Sequence, residues 1–329
     1  MYYSINFFVI IELFLFYLCI KNKKNIFIIG IFLFAIYLGF RDFYITDTVN
    51  YIREYQTGHG GYFSEKGFKY LGKILYELKF STRLYIITLS LLNMFLYFMG
   101  YKILYKEKDM RDLVIWIFIF NSTFLFGSIN ILRQSLAGGF LLISLSLLIK
   151  SDKSKLSLAY LILGISFHTT LVFFLPLWIA LYFKIYKKMS LKIEIVIYIL
   201  SFILGIISIK FLLNIPKVYR YFYEISTNKS FYLKYIILLL FYIFMKLKKR
   251  DLNIKKILFV LFYMIIILTF FLNFKLLPSR LIYYSNIFIP ILLGDIYLRI
   301  KQKNIFLILI QVYHIFVLFY PATRKLLNI

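Results

Sequence analysis

The chain has 329 residues, 62% of them hydrophobic and 21% aromatic, with 40 Lys+Arg against 14 Asp+Glu and a formal charge of +26. Soluble domains are about 45–50% apolar, and here the excess lies in long runs, so a soluble globule is excluded. The basic residues sit in short gaps between those runs, which argues against a nucleic-acid-binding domain.

The predicted segments, in chain order, are 2–20, 25–40, 84–101, 112–127, 130–149, 156–167, 170–183, 193–213, 231–245, 257–273, 280–298 and 304–320. They read as an all-α, polytopic integral membrane protein of about twelve transmembrane or re-entrant helices. The first run has neither a basic leader nor a small-residue cleavage site and reads as a retained helix. The gaps 21–24, 102–111, 150–155, 184–192, 246–256 and 299–303 carry more than half of the basic residues. Placing all six in the cytoplasm satisfies the positive-inside rule. It also requires an even number of crossings between successive gaps, which leaves both termini outside.

Parity makes two turns specific. Gly127-Ser128-Ile129-Asn130 is expected to separate 112–127 from 130–149, and the chain is expected to reverse near Ser166-Phe167-His168-Thr169-Thr170. There is no internal repeat and no linker, so residues 1–329 read as one membrane domain. Its sizeable extramembrane piece is 41–83, on the outer side. There Ser64 can cap a helix in which Phe68, Leu71, Ile74, Leu75 and Leu78 share one face, a pattern suited to a helix lying in the interface.

Removing the cytoplasmic gaps leaves a polar set on the outer side: Arg41, Asp42, Asp47, Arg53, Glu65, Arg133, Gln134, His168, Lys217, Arg220, Lys275 and Arg280. The positive-inside rule does not account for these cations. Guanidinium groups match phosphate oxygens bidentately, so an outer cluster of arginines suits phosphate or pyrophosphate. Each residue also has a plainer reading. Arg133 could snorkel to the interface, Asp47 could cap a helix, Glu65 could be a first-turn acid, Arg280 an interfacial anchor, and Arg41 could pair with a carboxylate. Cys19 reads as filler. Glu12 and His314, within apolar helices, read as packing or helix–helix contacts, and His59 belongs to the glycine-rich loop Gly58-His59-Gly60-Gly61. Nucleotide-binding, serine-hydrolase and zinc-protease motifs are absent from the sequence.

Five islands, in order, resemble the EpsG family of Wzy-type polysaccharide polymerases. They are Gly39-Phe40-Arg41 with Thr46-Asp47-Thr48-Val49-Asn50-Tyr51; Glu65-Lys66-Gly67-Phe68; Leu132-Arg133-Gln134-Ser135-Leu136-Ala137; Ser166-Phe167-His168-Thr169-Thr170; and, more weakly, Arg280-Leu281-Ile282-Tyr283-Tyr284. Ile45 departs from the family pattern, which has Gly before Thr-Asp. The resemblance implies a metal-independent, cofactor-free glycosyltransferase in the cytoplasmic membrane. It would act at the outer face and polymerise undecaprenyl-pyrophosphate-linked repeat units for capsule, exopolysaccharide or O-antigen. It further suggests Arg133 and Arg280 on the pyrophosphate with Arg41 nearby, Asp47 or His168 as the base, and Gln134 and Glu65 orienting sugar or neighbouring side chains. Its partners would be lipid-linked donor and acceptor oligosaccharides and membrane lipids, with a chain-length regulator as a further candidate and no nucleic acid. A lipid-linked oligosaccharide flippase is the alternative reading, a polysaccharide ligase a close relative in chemistry, and a structural membrane subunit a third class.

Overall fold

The apolar runs form helices because their residues are large, aliphatic or aromatic and free of internal breakers, and in lipid a helix satisfies its own backbone. A computed structural model describes residues 5–21, 23–41, 46–57, 65–150, 153–212, 235–236, 238–240, 242–243, 246, 252–271 and 276–319. Asp42, the His59 loop, Ser64, Lys217, Arg220, Lys275 and much of 231–245 lie outside them. Among the described residues the structure is helical, without strands.

The α-helices are α1 (Ile5–Ile20), α2 (Lys24–Gly39), α3 (Thr46–Thr57), α4 (Lys66–Glu77), α5 (Thr82–Leu104), α6 (Lys108–Ile119), α7 (Ser122–Ile129), α8 (Leu132–Lys150), α9 (Ser154–Phe167), α10 (Leu175–Tyr182), α11 (Leu191–Leu212), α12 (Leu252–Phe270), α13 (Leu276–Asn286), α14 (Ile289–Arg299) and α15 (Lys303–Phe319). Three helical runs among the described residues, Thr82–Leu104, Leu132–Lys150 and Arg280–Arg299, are long and apolar enough to cross a membrane. Large apolar side chains are exposed along α1 (Ile10, Phe14, Tyr17) and α11 (Ile195, Val196, Ile199, Leu200, Ile203). Such stripes suit a lipid surround, since soluble proteins seldom expose contiguous apolar patches of this kind.

The chain divides into two compact units, residues 1–147 with 153–172 and 290–329, and residues 148–152 with 173–289. In the first unit α2 packs along α5, and α1 lies against α2, α6 and α15. Fully buried Glu12 on α1 meets His314 on α15, Oε1 to Nδ1, at 3.4 Å. This is the helix–helix contact expected of that pair. In the second unit α11 packs on α12, which also contacts α10 and α13. There the buried Glu194 carboxylate accepts from Tyr242 at 2.6 Å and from Lys246 at 2.5 Å.

The helices depart from the expected segments in four places. Segment 112–127 is not continuous: α6 ends at Ile119, and α7 starts beyond Asn121, whose carbonyl accepts from Leu125 N–H at 3.2 Å. Asparagine favours such a helix entrance. The next turn falls at Asn130-Ile131 rather than Gly127–Asn130, because α7 stays helical through Ile129. Segment 170–183 opens as a 3₁₀ turn, Thr169–Phe174, before Pro176 sits in the first turn of α10. Segment 280–298 is interrupted between α13 and α14, where Pro290 has no N–H to donate to Asn286 O and so cannot continue the ladder of α13.

Helix α4 presents its expected apolar face unevenly. Phe68 and Leu75 are buried, while Tyr70, Ile74 and Leu78 are exposed. One edge of the face therefore packs on protein and the other faces outward.

Candidate functional site

The site grows from the end of α7. The last carbonyls of a helix have no partner inside it, and those of Ser128 and Ile129 are taken by the segment 41–48. The Arg41 guanidinium donates to Ser128 O, and Thr48 Oγ1 donates to Ile129 O at 3.2 Å. Asn130 Oδ1 accepts the Asp47 backbone N–H at 3.3 Å, and Ser128 Oγ accepts from Asn93 Nδ2 of α5 at 2.9 Å. Arg83 holds the Arg41 carbonyl at 2.6 Å. Arg41 and Thr48 are fully buried. Arg41 is thus engaged with a helix end rather than solely with a carboxylate, and Asp47 occupies the first turn of α3 rather than a cap position.

Immediately after that turn, Arg133 and Gln134 enter the first turn of α8. Arg133 Nη1 donates to Glu65 Oε2 at 2.5 Å, and its guanidinium lies 6.0 Å from the ring centre of Tyr51 on α3. Glu65 is the residue before α4 and makes no side-chain cap there. Its carboxylate is aimed at Arg133 instead of at its own helix, which overturns the first-turn-acid reading. The side chains of Arg133 and Glu65 are 18% and 9% exposed, so the pair is partly buried. A guanidinium has five N–H donors. Gln134 is buried.

Helix α9 closes the third side. A Cβ on Gly67 of α4 would come within 2.1 Å of Ser166 Oγ and 3.0 Å of the Ser166 backbone. Only glycine allows this approach. Phe167 then packs edge-on to Phe68 at 6.3 Å, and Phe68 lies 5.4 Å from Tyr51. His168 follows in extended backbone, 5% exposed, with Nδ1 2.6 Å from Thr170 Oγ1. A train of rings from Tyr51 through Phe68 to Phe167 therefore connects the Arg133–Glu65 pair to the histidine turn. Burial and the Asp47 charge push the Tyr51 phenol up to about 12, against the opposing Arg133.

Four of the five islands thus meet in the first unit, carrying Arg41, Asp47, Glu65, Arg133, Gln134 and His168. Arg280 belongs to α13 of the second unit, half-buried, where Phe174 packs against the neighbouring Tyr284 at 5.5 Å. Arg53 is exposed on α3. The structure adds polar residues that sequence reasoning had not singled out. Asn93 of α5 holds Ser128, a residue of the expected Gly127–Asn130 turn, at 2.9 Å. Glu54, 8% exposed, shares the inner side of α3 with Tyr51 and Tyr55. Its place three residues after Tyr51, one turn along the same helix, was the available signal.

The chemical capacity of this arrangement is a guanidinium fixed by a carboxylate, with a second acid and a histidine turn built into the same layer of helices. No curated protein and no solved structure matches the chain. The EpsG family model matches residues 24–325, nearly the whole length. That span includes all five islands and every residue of the site, and the chain belongs to the EpsG family.

Proposed function

We propose that the protein is a polysaccharide polymerase that joins lipid-linked oligosaccharide repeat units at the outer face of the cytoplasmic membrane. The observation that carries the reading is the Glu65–Arg133 pair, which holds the partly buried Arg133 beside the Asp47-bearing helix. In the reaction, a hydroxyl oxygen of the acceptor sugar attacks the anomeric carbon of the donor chain. The bond from that carbon to the undecaprenyl pyrophosphate oxygen breaks, and the lipid pyrophosphate leaves with the electron pair. Arg133 neutralises the charge developing on the pyrophosphate, which is where a preorganised donor contributes most. Asp47 or His168 accepts the hydroxyl proton. Arg41, engaged with Ser128 O, secures the α7–α8 turn from which Arg133 projects. Gln134 orients the sugar.

The test is the glycolipid profile of a strain lacking the gene, complemented with wild type or Arg133→Ala. Single repeat units accumulating on the outer leaflet, with no polymer and normal protein level, are the expected result for Arg133→Ala. Units trapped on the inner leaflet would assign the protein to transport across the membrane, and an unchanged profile would overturn the reading.

A further inference from the structure

Beside the arginine pair lies a cavity that the reaction above does not use. It has a volume of about 290 Å³ between α3, α4 and the start of α5, with Glu54, Tyr55, Tyr85, Lys66 and Lys69 in its wall. Ligand sites run roughly from 300 to 1,000 Å³, so this one takes a sugar ring or two and no long chain. Its floor is rigid. The Tyr55 and Tyr85 rings stack at 4.1 Å and 8°, and the Tyr55 hydroxyl donates to Phe80 O at 2.6 Å. Phe68 also lines the cavity, and the same ring contacts Tyr51, over which Arg133 lies. Phe68 and Tyr51 thus link the cavity wall to the guanidinium.

The wall chemistry is mixed in a specific way. Aromatic faces suit the C–H faces of a sugar ring. The buried Glu54 carboxylate is an acceptor, fitted to hydroxyl groups and unfavourable to a phosphate. Lys66 and Lys69 project from the opposite wall as exposed cations. Lys73, further along α4, is 3.7 Å from the Glu77 carboxylate. A bare phosphate group would be served by the lysines but would leave Glu54 and the aromatic faces idle. A neutral sugar would use Glu54 and the rings but leave the lysines idle. A sugar carrying hydroxyls and one carboxylate uses all three.

We infer that this cavity binds one acidic, uronate-type residue of the saccharide, its hydroxyls on Glu54 and its carboxylate on Lys66 and Lys69. The inference rests on the polymerase reading for its place in the reaction, where it would select which repeat units reach Arg133.

The test uses the full chain in phosphatidylcholine nanodiscs and two lipid-free probes, a tetrasaccharide with alternating glucuronate residues and its carboxyl methyl ester. The acid is expected to bind about tenfold more tightly than the ester, a difference of about 1.4 kcal/mol. Lys66→Ala with Lys69→Ala, both at exposed positions, is expected to abolish that preference, and Glu54→Gln to weaken both probes. Equal binding of acid and ester, or a preference that survives the lysine double variant, overturns the inference. Loss of the preference when phosphatidylglycerol is added to the wild-type nanodiscs would assign the lysines to lipid headgroups and overturn it too. Because no lipid-linked substrate is present, this result is independent of the Arg133→Ala profile, and either reading can fail alone.

Discussion

Glu65 and Arg133 are 68 positions apart in the chain, yet the carboxylate of one meets the guanidinium of the other at 2.5 Å. The Glu65 carboxylate is buried and Arg133 is only slightly exposed. A pair in such a setting fixes geometry more than it adds stability, because desolvation offsets much of the attraction.

The two residues should therefore be strongly coupled. Glu65→Ala and Arg133→Ala, alone and together, are expected to show an interaction energy of about 1–3 kcal/mol in thermal unfolding of the detergent-solubilised protein. Additive losses would show that the pair is not formed. Arg133→Lys keeps the charge but not the planar fork, and it is expected to yield shorter or no polymer in complemented cells.

Gly67 is the point where α4 can come close to α9. Gly67→Ala drives a methyl into Ser166 and is expected to destabilise the protein by about 1–3 kcal/mol. Gly72, on the same helix, has Tyr85 Oη as its closest neighbour at 3.8 Å. Gly72→Ala should be neutral or stabilising by about 0.5–1 kcal/mol, because it relieves the entropic cost of a helical glycine. Melting temperatures of the two variants decide it, and equal shifts would refute the contact.

The raised phenol of Tyr51 has a sign that can be checked. Its proton is held more tightly in the folded state than in the unfolded chain, so its contribution is fully present below pH 10 and is lost as pH rises towards 12. Tyr51→Phe cannot ionise. Its unfolding free energy should fall less steeply than that of wild type between pH 10 and 12, measured by urea denaturation across that range.

Glu12 and His314 stand in apolar surroundings, with Trp116 4.8 Å from the imidazole. Removing one leaves the other without its partner, at a cost of about 1–3 kcal/mol. Glu12→Leu or His314→Leu should each lower the melting temperature, and the double variant should recover much of the loss. A double variant as unstable as the sum of the two would indicate that the residues act separately.

The sequence by itself determined the helical membrane class, most helix positions and the residues worth asking about. These are local properties: apolar runs, the breakers between them, and short islands of polar residues whose chemistry is legible wherever they lie. Even locally it missed the interruption at Asn121 and the one before Pro290, because an apolar run conceals a helix break that needs only one or two residues. Tertiary structure alone decided that Arg41 supports a helix end, that Glu65 abandons its own helix for Arg133, and that Gly67 admits Ser166. It also decided which edge of the apolar face of α4 is buried, and that Glu54 and the lysines of α4 share one cavity. Each of these depends on residues tens of positions apart meeting in space. Such meetings are set by how whole helices pack, and they leave no periodic trace in the chain.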